Sequence, residues 1–335
     1  MEGSRSICDP TKHHDDGLWR QWQAGTQLLR QIQDDYRQAR RHLEELSSLF
    51  DDRENEARQQ LETMLERTQS DDRLGHNVVL CLQTYCLGSF EVRLDNSRVD
   101  QWSSLKAKSV LKYLLAQRGR PVPRDVLMET LWSGWCSELA GSNLRAAVHA
   151  LRRTFSRFSG NGNNFSCILF IGGNYILNPA LSIWMDDLEF ERHWITGRRL
   201  EKEGNPDESI KEYTLAEGLY RGDYLEDDLY EEWTLQHREA LKDIYLAILG
   251  KLAENSAQVA DYESCISYCH KMLAKDPCCE KGYRWLMRSY SRLGRRSRAL
   301  HWYRICEKTV RTNLDIALEG RTAALYYRLS QDEYI

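Results

Sequence analysis

Residues 143–153, NLRAAVHALRR, have types and spacing suited to gripping a polyanion. Leu144, Ala147, Val148 and Leu151 form one apolar stripe at helical spacing, so that face belongs against a core. Asn143, Arg145, His149, Arg152 and Arg153 fall elsewhere around the same helix. Guanidinium, amide and imidazole groups can reach base edges and phosphate oxygens. A helix divided in this way can hold its own domain with one face and lie in a duplex major groove with another. Arg145 and His149, one turn apart, are the expected base readers together with Asn143. Arg152 and Arg153 are expected to meet phosphates, although either could pair with an internal acid instead. Lys106, Lys108 and Arg124 sit near helix starts and could clamp the nucleic-acid backbone. Gly172, Gly173, Asn174 and Tyr175 fall in a stretch that reads as the tip of a β wing.

Other constellations point to less. Cys265, Cys269 and His270 are close on one helix, and Cys278 and Cys279 follow. The imidazole points about 100° away from the second thiol, and no fourth ligand has motif spacing. Buried helix cysteines are the better reading, and no metal is expected. No H-E-x-x-H, G-x-S-x-G or G-x-x-x-x-G-K-[ST] motif occurs, so no catalytic residue, cofactor or phosphate-cradling loop is expected. The paired acids Asp186-Asp187 and Asp227-Asp228 flank helix starts, where carboxylates cap free amides and suit the macrodipole.

The elements that must position these residues follow from periodicity. Residues 1–17 are polar and read as a disordered leader. Residues 18–69 hold an imperfect a/d seam from Leu18 to Phe50 that shifts phase by Leu61. That seam fits a long amphipathic helix lying on the protein, a coiled-coil arm for homodimerisation, or a sensor helix. Residues 78–94 read as two short strands. Helices are expected at 105–117, 124–132 and 139–158, the last starting at Ser137 or Ser142 and stopped by Gly160-Asn161. Residues 167–178 read as a hairpin. Strands, three helices and a hairpin, in that order, describe a winged helix-turn-helix. Residues 186–330 are helical almost throughout. The turn at Ala260-Asp261-Tyr262 recurs in character 34 residues later at Gly294-Arg295-Arg296, which is the tetratricopeptide period. The expected chain is mainly α. A leader at 1–17 and a coiled-coil-like helical arm at 18–75 precede a winged-helix DNA-binding domain at 76–180. A tetratricopeptide-like helical-repeat domain at 181–335 follows.

Bulk properties agree. The net charge of −4 makes any nucleic-acid footprint local. Residues 100–160 carry ten Lys/Arg against four Asp/Glu, which makes this block the DNA candidate. Residues 201–245 carry five against fourteen; they could hold the basic domain by charge complementarity or simply be solvated. Residues 281–311 carry ten against one and could touch DNA, a partner or the acidic repeats. Ten cysteines without a secretion signal read as reduced thiols in a cytoplasmic protein. No run of 18 uncharged apolar residues occurs, so no membrane partner is expected.

Several segments together resemble the SARP-type (AfsR-like) bacterial regulators. They are CLGSFEVRL at 86–94, LKAKSVLKYLLAQRGRPVPRDVLMETLW at 105–132, NLRAAVHALRR and GGNYIL at 172–177. They continue with DDLEFE at 186–191, YRGDYLEDDLYEEW at 220–233 and ALHWYRICEKTVRTNL at 299–314. The resemblance covers about 86–330. It implies an OmpR-type winged helix joined to a bacterial transcriptional activation domain. It further implies a transcriptional activator that binds repeated elements in double-stranded DNA and engages RNA polymerase. In that reading Asn143 to Arg153 form the major-groove helix and Gly172 to Tyr175 the wing tip. The roughly 75 residues ahead of the winged helix depart from many members, and, without a G-x-x-x-x-G-K-[ST] motif, the ATPase module of longer relatives is not expected in this sequence. The alternative is a helical-repeat scaffold whose winged helix binds protein rather than DNA.

Overall fold

The computed structural model describes residues 81–157 and 166–331. The leader, the arm at 18–75 with its dimerisation seam at 18–69, and the helix stop at Gly160-Asn161 lie outside the described residues. Strand β1 (Cys81–Tyr85) buries Leu82 and Thr84, and β2 (Glu91–Leu94) buries Val92 and Leu94, the period-2 pattern of a half-buried sheet. A two-residue turn, Asp95-Asn96, has positive φ at both positions and returns the chain into β3 (Ser97–Arg98). Sequence spacing had suggested only two strands here.

Helix α1 (Leu105–Ala116) starts with the Ser104 hydroxyl accepting the Ala107 amide. The two-residue strand β4 (Val122–Pro123) leads into α2 (Arg124–Leu131), and α3 (Ser137–Ser156) follows after one exposed loop. Strands β5 (Ile168–Ile171) and β6 (Asn174–Leu177) form the wing hairpin, and β4 pairs with β6 to complete its sheet. β7 (Ser182–Met185) runs parallel to β1, which gives the first sheet the order β3-β2-β1-β7. The chain thus returns to the N-terminal sheet after residue 180 before entering the repeats.

Seven helices follow among the described residues: α4 (Asp186–Lys202), α5 (Pro206–Leu219), α6 (Glu232–Gln258), α7 (Tyr262–Lys275), α8 (Glu280–Arg292), α9 (Arg296–Leu314) and α10 (Gly320–Ser330). The pairs α4–α5, α6–α7 and α8–α9 turn in the same way. Gly204, Ala260 and Gly294 each take a left-handed φ, and the next amide reaches back to Leu200, Ser256 and Tyr290 carbonyls at 2.8–3.0 Å. That is the closing bond of a Schellman cap. The architecture is mainly α, a winged helix followed by tetratricopeptide-like helix pairs.

One buried cluster runs without interruption from the winged helix (Leu114, Leu127, Leu144, Leu151) into the first repeats (Phe190, Tyr213, Tyr224, Leu241). A second cluster, with Cys265, Cys269, Leu286 and Leu325, sits farther along the helix pairs. No helix of the described residues is long and apolar enough to cross a membrane.

Candidate nucleic-acid interface

Helix α3 buries Leu144, Ala147, Val148, Leu151 and Phe155 against α1, α2 and the wing. Its opposite face exposes Ser142, Arg145, Ala146, His149 and Arg153, a stripe with steps of three and four. Arg145, His149 and Arg153 have no side-chain hydrogen bond or ion pair among the described residues. Asn143 is half-buried at the edge of the stripe. Spacing had passed over Ser142 and Ala146, which lie one turn before and beside Arg145, and Arg157, four residues beyond Arg153. The apolar Trp135 and Leu139, 56% and 55% exposed, continue the surface at the N-terminal end of α3.

Three of the expected phosphate contacts, Arg152, Lys106 and Lys108, are engaged within the protein. The Arg152 guanidinium donates from Nε and Nη2 to the Ile168 carbonyl at 3.1 and 2.8 Å, and so ties α3 to the wing. The Lys106 ammonium donates to the Leu131 carbonyl at 2.7 Å, closing the end of α2, and lies over the Trp132 ring. Lys108 faces the opposite way, 3.8 Å from Asp227 and over the Phe90 ring; burial lowers its pKa first, with Lys112 beside it. The Arg124 guanidinium lies against Gly141 of α3, in space that a Cβ at 141 would make it give up. Its Nε is buried without a hydrogen-bond partner.

The wing tip is narrower than expected. Gly172 and Gly173, with φ of 56° and 84°, form the whole two-residue turn between Ile171 and Asn174. Both positions need a conformation that side chains disfavour. Asn174 already belongs to β6, and its amide donates to the Gly172 carbonyl at 3.3 Å. Tyr175 is not at the tip at all. It is buried opposite Val122, its ring 4.6 Å from Phe170. The Arg124 amide donates to the Gly173 carbonyl at 3.1 Å and anchors the turn beside α2.

The segment 220–233 is fastened to the N-terminal sheet of the winged helix by hydrogen bonds. The Gly88 amide donates to the Asp223 carbonyl at 3.0 Å, and the Leu225 amide to the Cys86 carbonyl at 2.8 Å. Asp186 accepts the Cys86 and Leu87 amides at 2.6 and 3.1 Å, and Asp227 accepts the Phe90 amide at 3.2 Å. These acids begin helical turns as expected, but they cap another element rather than their own. Lys112, buried in α1, pairs with Asp228. Arg118 pairs with Glu191 at 2.9 Å. Two acids of the 201–245 block, Asp227 and Asp228, thus meet lysines of the basic domain, while Glu191 and Asp186 lie ahead of that block. Cys86, Asp186 and Asp187 bring their ligand atoms within 4.8 Å of one another. Asp186 is already filled by two amides, and Arg221 and Arg118 approach the carboxylates, so the cluster is not built for a cation. Cys265 and Cys269 are buried, and His270 packs edge-on against Trp302.

Fold and face together define a winged helix-turn-helix carried on a helical-repeat domain. Residues 185–330 match the family model of the bacterial transcriptional activator domain. A solved structure, EmbR of Mycobacterium tuberculosis in complex with a low-affinity phosphopeptide, is similar over 76% of this chain. The match has a TM-score of 0.63 and 22% identity and covers 66% of that chain, just under two thirds of its length. Two repeat structures match 44% of the chain: the TPR2B domain of yeast Sti1 (16% identity, TM-score 0.32, 99% of that chain) and the C-terminal TPR-containing domain of a Plasmodium falciparum FK506-binding protein (17%, 0.33, 89%). No curated protein matches the chain. Residues 185–330 thus carry a region that matches the bacterial transcriptional activator domain, and the chain shares its fold with EmbR.

Proposed function

We propose that the protein binds double-stranded DNA with α3 in the major groove, activates transcription from repeated promoter elements, and engages RNA polymerase. It would do so in the cytoplasm. Arg145 and His149 face base edges with Asn143 at their side, and Arg153 and Arg157 meet phosphates. The Gly172-Gly173 turn approaches the neighbouring backbone, where the absence of side chains permits close contact. The observation that carries this reading is the α3 stripe, whose cations are exposed and unpaired among the described residues while the opposite face is buried. Lys106, Lys108 and Arg152 are left out of the interface because each is engaged within the protein. The match of residues 185–330 to the bacterial transcriptional activator domain supports the reading.

The test is mobility shift on promoter fragments selected by the protein itself. Arg145→Ala should weaken preference at one base position by about 1–3 kcal/mol, the worth of a lost bidentate contact, and leave thermal stability unchanged. A variant that discriminates sequences as the parent does would remove Arg145 from the readout. A second reading, in which the winged helix binds protein, has one observation in its favour: the exposed Trp135 and Leu139 beside the stripe. It requires that the parent show no DNA affinity at moderate salt in the same experiment.

A further inference from the structure

Four cations of the late basic block, Lys281, Arg284, Arg288 and Arg292, line cavities unconnected with α3. Helices α6, α8 and α10 bound a cavity of about 570 Å³ lined by Lys281, Arg284, Arg288, Arg321 and Arg328 with the apolar Trp285, Ala324 and Leu325. A second cavity of about 300 Å³ shares Trp285 and Arg288 and continues to Tyr262 and Arg292. On α8 the cations Lys281, Arg284, Arg288 and Arg292 recur at steps of three and four, so one helix face carries them all. At 1.5 Å per residue the row is about 16 Å long. Within the lining of the larger cavity Glu254 is the only acid.

The cations differ in what they already do. Arg284 is a brace, donating to Glu319 at 2.7 Å and to Thr322 at 2.9 Å. Lys281, Arg288 and Arg321 have no ion pair among the described residues. Arg288 is half-buried, its guanidinium 5.2 Å from the Trp285 ring. Burial first, and then the neighbouring Arg284 and Arg328, lower its pKa. Arg284 has its counter-charges in Glu319 and Glu280, whereas no ion pair among the described residues reaches Lys281, Arg288 or Arg321, so these three are poised for an anion.

We propose that this groove docks an extended acidic peptide of about five residues, with carboxylates on Lys281, Arg288 and Arg321 and one apolar side chain over Trp285 and Ala324. An extended chain advances 3.3–3.6 Å per residue, so about five residues match the row. Guanidiniums bind carboxylates through paired hydrogen bonds. A duplex does not fit a cavity of this size. A single nucleic-acid strand would need an open aromatic face for stacking, and Arg288 covers one face of Trp285. The proposal goes beyond DNA binding by α3 and stands whether or not α3 reads DNA.

The test is fluorescence anisotropy on the full chain at low salt. The probes are fluorescein-labelled Glu-Glu-Leu-Glu-Glu, its Gln-Gln-Leu-Gln-Gln counterpart and labelled pentathymidylate. The glutamate peptide should bind, and the glutamine peptide should bind at least about tenfold more weakly, as charge-assisted bonds require. The double variant R288Q/R321Q should lose about tenfold or more in affinity for the glutamate peptide. Arg321 is exposed, so R321Q alone, with an unchanged melting curve, should still lose several-fold even if the double variant folds poorly. Equal binding of the two peptides, tighter binding of pentathymidylate, no binding of the glutamate peptide, or an R321Q variant that binds like the parent would each overturn the proposal.

Discussion

Arg152 gives both its Nε and Nη2 to one carbonyl of the wing, whereas Arg145, seven residues earlier on α3, has no partner among the described residues. Seven residues are nearly two helical turns, so the two side chains leave α3 in almost the same direction. What separates them is β5, which covers the second and not the first. Asp186 shows another consequence of neighbours remote in sequence. It is fully buried and accepts two amides of the β1–β2 connection, and burial is the main cause that raises its pKa to about 6. The amides pull the other way, as does Arg221. A carboxylic acid whose folded pKa stands above its unfolded value, about 3.9, holds its proton more readily when folded. Its contribution to stability is therefore fullest below about pH 4, falls as the pH rises towards 6, and is level above that. Glu201, pulled down by its hydrogen bond from Lys251, runs in the opposite sense, so the whole curve does not isolate Asp186. Subtracting Asp186→Asn does. The stability of the parent relative to this variant, from urea midpoints, should decline between pH 4 and 6 and stay constant from 7 to 8. A difference that rises over that window would mean the carboxylate is stabilised rather than strained by its site.

Elements were more legible than their contacts. Periodicity gave α1, α2 and α3 to within about two residues at each end, because amphipathic stripes such as Leu144-Ala147-Val148-Leu151 are local signals. It assigned the Gly172-Gly173 turn because two adjacent glycines mark a hairpin whose central residues need positive φ. It missed β3 because Asp95-Asn96 makes the same kind of turn without a glycine. It put Tyr175 at the wing tip because the alternation of a four-residue strand does not say which face is covered. The repeat at Ala260 and Gly294 was readable from its 34-residue spacing, but Gly204 was not joined to it. The inserted segment 220–231 and the long α6 stretch the interval ahead of Ala260. All three turns nevertheless close with the same bond, and only at 260 does a Cβ sit in the left-handed region. A left-handed residue other than glycine costs roughly 1–2 kcal/mol, part of which glycine's greater chain entropy offsets. Ala260→Gly should therefore stabilise the protein by about 0.5–1 kcal/mol, read as an increase in denaturation midpoint. No increase, or a decrease, would show that the Ala260 methyl makes contacts worth more than the backbone strain.

At the scale of the whole molecule, the winged helix and the repeats act as one platform. Composition suggested complementary blocks of charge, but it could not say which lysine meets which acid, because the pairs lie more than a hundred residues apart in sequence. Lys112 and Asp228 are such a pair, with the lysine side chain 4% exposed and the aspartate 20%. Arg238, buried nearby, gathers the carbonyls of Tyr224, Leu225 and Asp228, so the loop that presents Asp228 is itself held in place. The two partners should respond unequally to removal. Asp228→Ala strands an ammonium with little access to water beneath the Phe90 ring, and loss of one member of a buried pair costs about 3–5 kcal/mol. Lys112→Met leaves a carboxylate that can still reach solvent and replaces the lysine stem with an apolar chain of similar length, so it should cost clearly less. The double variant removes both charges and should recover most of the loss caused by Asp228→Ala. Urea denaturation of the four full-length proteins gives the cycle. Equal costs for the two single variants, or a double variant at the sum of both, would mean that this pair is a solvated contact and that the apolar cluster alone joins the winged helix to the repeats.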